Sequence, residues 1–167
     1  MSSDLTIRLL EQAEVNSAFE LLQATGQWLA SMGKRQRIAN TPLSSLQTWQ
    51  SLGQLYGVFV DSEPAGIFAL TVEQFQDWLD FQHLGEATWL RALATHPQYR
   101  GMDIGSTAIR YSLKILGTDS PLYLDCVAGF LPQYYARHGF EKLATQDREY
   151  TNDGRYRIVL MKHSNTI

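Results

Sequence analysis

Apolar and polar positions divide the chain into short segments with different periods. "LTIRLL" near the start alternates as a half-buried strand does. From Glu11 to Met32 the residues Val15, Phe19, Leu22, Leu29 and Met32 recur at helical spacing. They predict one long helix with a buried face, stopped by Gly33. After the polar break "KRQRIANTP", the segment "SSLQTWQSLG" predicts a short helix capped by Ser44 or Ser45 and ended by Gly53. "LYGVFV" and "AGIFALTV" are β-rich runs separated by "DSEP", a hairpin pattern with Asp61, Ser62 and Pro64 in the turn. "EQFQDWLDFQHLGE" is aromatic and has no period. "TWLRALAT" reads as a strand that Pro97 ends. Ile104 to Leu116 predicts a helix with Ile104, Ala108, Tyr111 and Ile115 on one face. "PLYLDCVA" is an apolar strand, "PQYYARHGF" a short helix closed by Gly139, and "YRIVLMKH" a last strand after the turn "TNDGR".

The order is strand, two helices, three strands, helix, strand, helix, strand. Alternation of this kind predicts an α/β fold, a mixed sheet with helices on its faces. A strand that enters a helix through a glycine turn and returns to a neighbouring strand predicts a right-handed crossover. The 167 residues suit a single domain over 1–167. No repeat or low-complexity tract divides it.

Composition adds exclusions. Hydrophobic residues make up 44% and charged residues 19%, with a formal net charge of −3. That balance argues against a nucleic-acid binder that works by neutralising phosphates. Cys126 is the single cysteine, so a disulfide-stapled secreted domain is excluded. The four histidines have no metal-ligand spacing, and no metal is expected. No apolar run has the length of a leader or a membrane span. The sequence therefore predicts a soluble, cytoplasmic protein with no membrane partner, and leaves a homodimer open.

The candidate chemistry begins at "ATHPQYRGMDIGSTAIRYSLK", where an arginine and two glycines flank Asp103 at the mouth of a helix. Glycine lets a backbone approach a ligand closely, and a helix start offers unpaired amides and a positive partial charge. The turn lacks the Gly-Lys-Ser/Thr ending of a P-loop and the Gly-x-Gly-x-x-Gly of a dinucleotide site. Two readings stand: an anion cradle, or a tight turn with Asp103 as the helix N-cap.

The stretch "LATHPQYRGMDIGSTAI" resembles the acetyl-CoA-binding motif of the Gcn5-related N-acetyltransferase family, Gln/Arg-x-x-Gly-x-Gly/Ala, which falls on Arg100, Asp103 and Gly105. Downstream, "QYYARHGF" is similar to the family's aromatic-Tyr-x-x-x-Gly-Phe segment, on Tyr134, Tyr135, Gly139 and Phe140. Three departures accompany it. Asp103 replaces the first motif glycine, the asparagine usual after the fifth strand is absent, and Trp89 stands where some members carry an acid. The resemblance implies the GNAT-type fold, a mostly antiparallel central sheet with helices on both faces. It also implies acetyl transfer from acetyl-CoA, as cosubstrate, to a primary amine. By the same resemblance, the backbone of Leu93, Ala94 and Thr95 pairs with the pantetheine arm. Arg100, Gly101, Met102, Asp103, Ile104, Gly105 and Ser106 surround the pyrophosphate, and Tyr135 serves as acid or hydrogen-bond donor toward the leaving thiolate.

The acceptor side rests on residue chemistry. Asp125 ranks first as general base, ahead of Glu86 and Asp80, with a strand acid paired to an arginine as its alternative. Trp28, Trp89 and Phe81 are candidates to line the acceptor pocket, against a plain core role. "KRQR" is either an attractor of anions or a solvated loop. Cys126 on its apolar strand reads as core. The rival functions are a CoA-binding sensor or scaffold with little catalysis, and a protein-interaction module.

Overall fold

The computed structural model describes residues 4–151 and 153–164. Seven strands, β1 Leu5–Leu9, β2 Leu55–Val60, β3 Glu63–Gln74, β4 Glu86–Thr95, β5 Leu122–Val127, β6 Glu141–Tyr150 and β7 Gly154–His163, form one sheet. Its order is β1-β2-β3-β4-β5-β7-β6. Every adjacent pair is antiparallel except β4 and β5. Four α-helices pack on it: α1 Val15–Ser31, α2 Leu43–Ser51, α3 Ile104–Leu116 and α4 Phe130–Arg137. The α/β expectation and the mixed, mostly antiparallel sheet hold.

Strand alternation sorts the core onto the two faces. On one face Phe68, Leu70, Leu90, Leu122 and Leu124 meet Ile104, Ala108 and Ile109 of α3 and Tyr135 of α4. On the other, Ile67 and Ala69 meet Val15, Leu21 and Leu22 of α1 and Leu46 of α2. Further along that second face, Trp89, Tyr123, Ile158 and Leu160 are covered by Phe75 and Trp78 from the segment after β3.

Local departures from the sequence reading have physical causes. Pro42 occupies the N-cap position of α2, so Ser44 and Ser45 lie inside the helix, and the Ser45 amide donates to Pro42 O at 3.0 Å. The β2–β3 turn is confined to Asp61 and Ser62, both at positive φ, which is the hairpin turn that matches strand twist, and Pro64 belongs to β3. In α3, Ile109 and Ser112 are buried beside Ile104 and Ala108, while Ile115 is exposed. α4 starts at Phe130, two residues ahead of Pro132, a residue tolerated in the first helical turn. β6 is a seventh strand that the apolar pattern does not reveal: it lies at the sheet edge with a mostly exposed, polar face.

Candidate active site

The site grows from a failure of strand pairing. β4 and β5 are parallel neighbours, but they pair only at Thr88 with Leu122 and Trp89 with Tyr123. Beyond those positions the strands diverge and leave one edge of β4 without a strand partner. Near the same place β4 is bulged: Ile67 pairs with Ala94 and Ala69 with Arg91, so Ala92 and Leu93 face the single residue Phe68. Ala92 takes a φ of 53° to make the bulge. A non-glycine residue there costs about 1–3 kcal/mol, and such strain gathers at functional sites.

Two clefts open into the gap. One, about 180 Å³, runs along Leu93, Ala94 and Thr95 and is bounded by Trp28 of α1, Gly105 of α3 and Tyr134 of α4. The other, about 200 Å³, holds Arg91, Asp125 and Cys126 on the strands, with Arg37, Trp49 and Tyr150 around them. Both are lined by Leu93, Leu131 and Tyr135, so they meet there.

The turn before α3 has a geometry that the capping expectation did not have. Gly101 has φ +81° and Asp103 φ 59°, ψ 29°, in the left-handed region. Asp103 holds the N-cap position, yet its side chain makes no capping hydrogen bond. Only its carbonyl serves the helix, accepting from Thr107 N at 2.9 Å and from the Ser106 hydroxyl at 3.3 Å. Asp replaces a motif glycine here because aspartate, with its short polar side chain, visits this region more readily than most residues. The first-turn amides are therefore left uncapped by that carboxylate. Gly105 has a different reason to be glycine: a Cβ there would overlap the Tyr134 hydroxyl. Arg100 donates to Pro97 O at 3.4 Å, and its guanidinium lies 5.6 Å from the Trp28 ring centre.

Tyr135 is 8% exposed and packs edge-on to Phe140 and Tyr134. Burial pushes its phenol well up, and Cys126 and Tyr134 add to the shift. Burial, then Asp125, pushes the Cys126 thiol up to about 12, so it stays protonated and acts as wall.

Asp125 lines the second cleft, but both its oxygens are engaged. Arg91 Nη1 donates to Oδ1 at 2.7 Å, and the Trp78 indole donates to Oδ2 at 3.1 Å. Arg91 also donates from Nε to Glu73 at 3.0 Å. This is the arrangement of a strand acid paired to an arginine. Glu86 and Asp80 lie outside both clefts.

Among the aromatic candidates, Trp28 borders the first cleft. Trp89 is 1% exposed, donates from its indole to Glu73 O at 3.1 Å, and packs on Phe75 and Tyr123. Phe81 stacks on Phe75 at 6.2 Å. Trp89 and Phe81 therefore support the floor rather than line either cleft.

"KRQR" is not a solvated loop. Arg37 Nε donates to Asp153 at 2.6 Å and its guanidinium lies 3.3 Å from the Tyr150 ring centre. Asn40 and Tyr156 donate to the same carboxylate, and Arg35 donates to Arg155 O at 2.7 Å. The α1–α2 loop is thus fastened to the β6–β7 turn beside the second cleft. Arg91 and Tyr150 are cleft residues that sequence reasoning missed, whereas Arg37 lies in the "KRQR" run it had singled out. One signal was present: a charge inside an otherwise apolar strand, Arg91 in "TWLRALAT" and Asp125 in "LYLDCVA", marks a buried pair.

A model described as the Acetyltransferase (GNAT) family matches residues 18–140. No curated protein matches the chain significantly. Solved structures do. A GCN5-related N-acetyltransferase from Rhodopseudomonas palustris aligns with TM-score 0.73 at 16% identity, over 98% of each chain. A GNAT-family acetyltransferase from Listeria monocytogenes aligns with TM-score 0.71 at 18% identity, over 95% of this chain and 94% of its own. A PaiA N-acetyltransferase from Thermoplasma acidophilum, solved with coenzyme A, aligns with TM-score 0.65 at 16% identity, over 96% of this chain and 98% of its own. At these identities the likeness speaks for the fold.

Proposed function

We propose, for a chain that belongs to the acetyltransferase (GNAT) family, direct transfer of an acetyl group from acetyl-CoA to a primary amine of a small molecule or peptide. The observation that carries the reading is the meeting of two clefts at Leu93 and Tyr135, where the strands β4 and β5 part. Acetyl-CoA supplies an activated thioester carbonyl. Holding it and an amine on the two sides of one junction makes a bimolecular step effectively unimolecular, worth as much as about 7–11 kcal/mol.

Each side of the junction has residues suited to its task. The unpaired edge of β4 at Leu93, Ala94 and Thr95 offers backbone donors and acceptors to an extended amide-bearing arm, as a sheet edge does to an added strand. The bulge turns the Leu93 amide out of the regular ladder, a position suited to a developing oxyanion. The α3 first-turn amides, with Gly101 and Met102 before them and Ile104, Gly105 and Ser106 within, suit a diphosphate. Arg100 adds a cation nearby.

Tyr135 keeps its proton because burial raises its phenol. Full transfer to a thiolate, whose conjugate acid has a pKa of ~8.5, runs uphill, so its part is to donate a hydrogen bond as charge develops on sulfur. The amine must arrive neutral, which for a lysine-like group of pKa ~10.4 costs about 4.6 kcal/mol at pH 7. Asp125 is committed to Arg91 and Trp78. Its work is to hold that wall of the cleft, and the amine proton leaves through solvent in the acceptor cleft.

The test combines calorimetric titration with CoA and thiol release from acetyl-CoA over a panel of primary amines. Binding with amine-dependent thiol release is expected. Binding without release for any amine would make the protein a CoA sensor, and absence of binding would sink the reading altogether.

A further inference from the structure

The charged groups around the acceptor cleft fall into two sets. Asp125 is met by Arg91 at 2.7 Å and by Arg148 at 3.6 Å, and all three stand on strands of the sheet. The second set gathers on Asp153, in the turn between β6 and β7, and it joins parts of the chain that no strand ladder joins. Its Oδ2 accepts from Arg37 Nε and from Asn40 Nδ2, each at 2.6 Å, and its Oδ1 accepts from the Tyr156 hydroxyl at 2.9 Å. Arg37 and Asn40 lie 116 and 113 residues earlier in the chain.

That one carboxylate decides where a wall of the cleft stands. Arg37, Ile38 and Thr41 line the cleft from the α1–α2 loop, and Tyr150 lines it from the end of β6. Asp153 grips the loop with its side chain, and its own amide donates to Tyr150 O at 3.1 Å. The Arg37 guanidinium, fixed at Nε, covers the Tyr150 ring at 3.3 Å. The bonds from Gln23 to Ala39 O and from Gln36 to Gly26 O tie the loop to α1, not to the hairpin. Among the described residues, the one further hydrogen bond between loop and hairpin is from Arg35 to Arg155 O at 2.7 Å. A bond from a guanidinium to a carboxylate is roughly twice as strong as a neutral one, so the Asp153 contact is the stronger tie. Yet Asp153, Asn40 and Tyr156 line neither cleft.

Resting on the acetyl-transfer reading, in which this cleft receives the amine, we propose that Asp153 is a positioning residue for the acceptor. It latches the α1–α2 loop to the β6–β7 hairpin and so sets the width of the acceptor cleft without touching the substrate. Of the three loop residues that line this cleft, only Ile38 also borders the first one. The latch therefore acts on the amine far more than on CoA, whose cleft is otherwise walled by α1, β4, α3 and α4.

The probes are 2-phenylethylamine, spermidine and L-phenylalaninamide, and the one with the highest kcat/KM in the wild type is carried through. In Asp153→Ala its KM should rise at least about 10-fold, while kcat and the calorimetric Kd for CoA stay within about 3-fold. Loss of folded protein alone would lower kcat and leave KM where it was, so the split separates positioning from stability. Asp153→Asn keeps the shape and an accepting oxygen and should fall between; it also serves if the Ala variant fails to fold by circular dichroism. Asn40→Ala and Tyr156→Phe remove single donors to the latch. Each should raise KM about 3-fold in the wild type and add nothing in Asp153→Ala. An unchanged KM in both Asp153 variants would overturn the proposal, and so would an equal loss of amine and CoA affinity. Failure of the acetyl-transfer reading shows separately, as absence of CoA binding or of thiol release with any amine in the wild type. Deuterium exchange then decides. The amides of Asn40 and Thr41, bonded within the loop, should exchange at least about 10-fold faster in Asp153→Ala while those of α3 keep their rate, and unchanged exchange overturns the latch.

Discussion

Asp103 condenses what a single residue can and cannot reveal. Its identity marked the turn, and one of the two readings of the sequence made it a side-chain cap, a role worth ~1 kcal/mol. The backbone angle, which the residue type does not disclose, decides otherwise: with φ 59° the carboxylate makes no cap, and the residue's value lies in tolerating a left-handed turn. Asp103→Gly should therefore hold stability within about 1 kcal/mol, whereas Asp103→Ala should lose on the order of 1–2 kcal/mol through strain at positive φ. Urea unfolding checks this, together with Asp103→Ser, which keeps a capping hydroxyl but tolerates positive φ little better than Ala; wild-type stability in the Ser variant would restore the cap. The place of Tyr135, at the border of both clefts, was legible from its motif. On the acetyl-transfer proposal, Tyr135→Phe should lower turnover about 100-fold with CoA affinity nearly unchanged, since the ring that borders both clefts stays and only the hydroxyl is lost. Steady-state kinetics beside calorimetry separate the two effects. Arg91 and Arg148 were not legible, because each is one polar letter on a strand until the sheet order brings both beside Asp125.

Helices and apolar strands were legible as elements because burial leaves a period. β6 was not: as an edge strand it keeps one polar face to water, and residues such as Glu141, Lys142 and Asp147 dilute the alternation. The cap of α2 was misread for a related reason, since serines near a helix start look alike until the backbone of Pro42 is seen to accept the first bond. The bulge in β4 left no mark at all. Nothing in "TWLRALAT" says that Ala92 will take a positive φ. A β-branched residue tolerates that angle worst, so Ala92→Val should cost about 2 kcal/mol or flatten the bulge. Thermal unfolding reads the first outcome. If the bulge flattens instead, the Leu93 amide returns to the ladder, and turnover should fall while stability stays high.

For the whole molecule, acidity acts through groups that line neither cleft. Burial, with Arg137 and Arg110, lowers the pKa of His138, and burial lowers that of His163. A histidine depressed in the folded state stabilises it above the unfolded pKa of ~6.5, and that contribution is lost as pH falls through the folded value. Asp153 and Glu14 are also depressed, chiefly by hydrogen bonds from Arg37 and Arg8. Their contribution is present above ~4 and lost below it. The melting temperature should thus decline in two stages on acidification, one below about pH 6.5 and one below about pH 4. Replacing His138 and His163 with Gln should remove the first stage and leave the second; persistence of both stages would assign the first to other groups. The order of the elements, β6 excepted, was open to a reader of the sequence, while the gap that makes the clefts was not, since it depends on where pairing stops.

That stopping point divides the sheet. In the ladder of the sheet, strands β1 to β4 and strands β5, β7 and β6 are joined by only two paired positions; beyond it the α3 crossover, the shared core and the Arg91–Asp125 pair hold them. Such a seam sets the grain of the molecule's fluctuations, and its two sides can breathe as separate cooperative units. Any occupant bound across it acts as a staple. Amides flanking the seam on β4 and β5 should exchange with deuterium faster than those of β3 and β7 in the free protein. Saturating CoA should slow the seam selectively, and equal slowing across the chain would mean that the two sides already open as one.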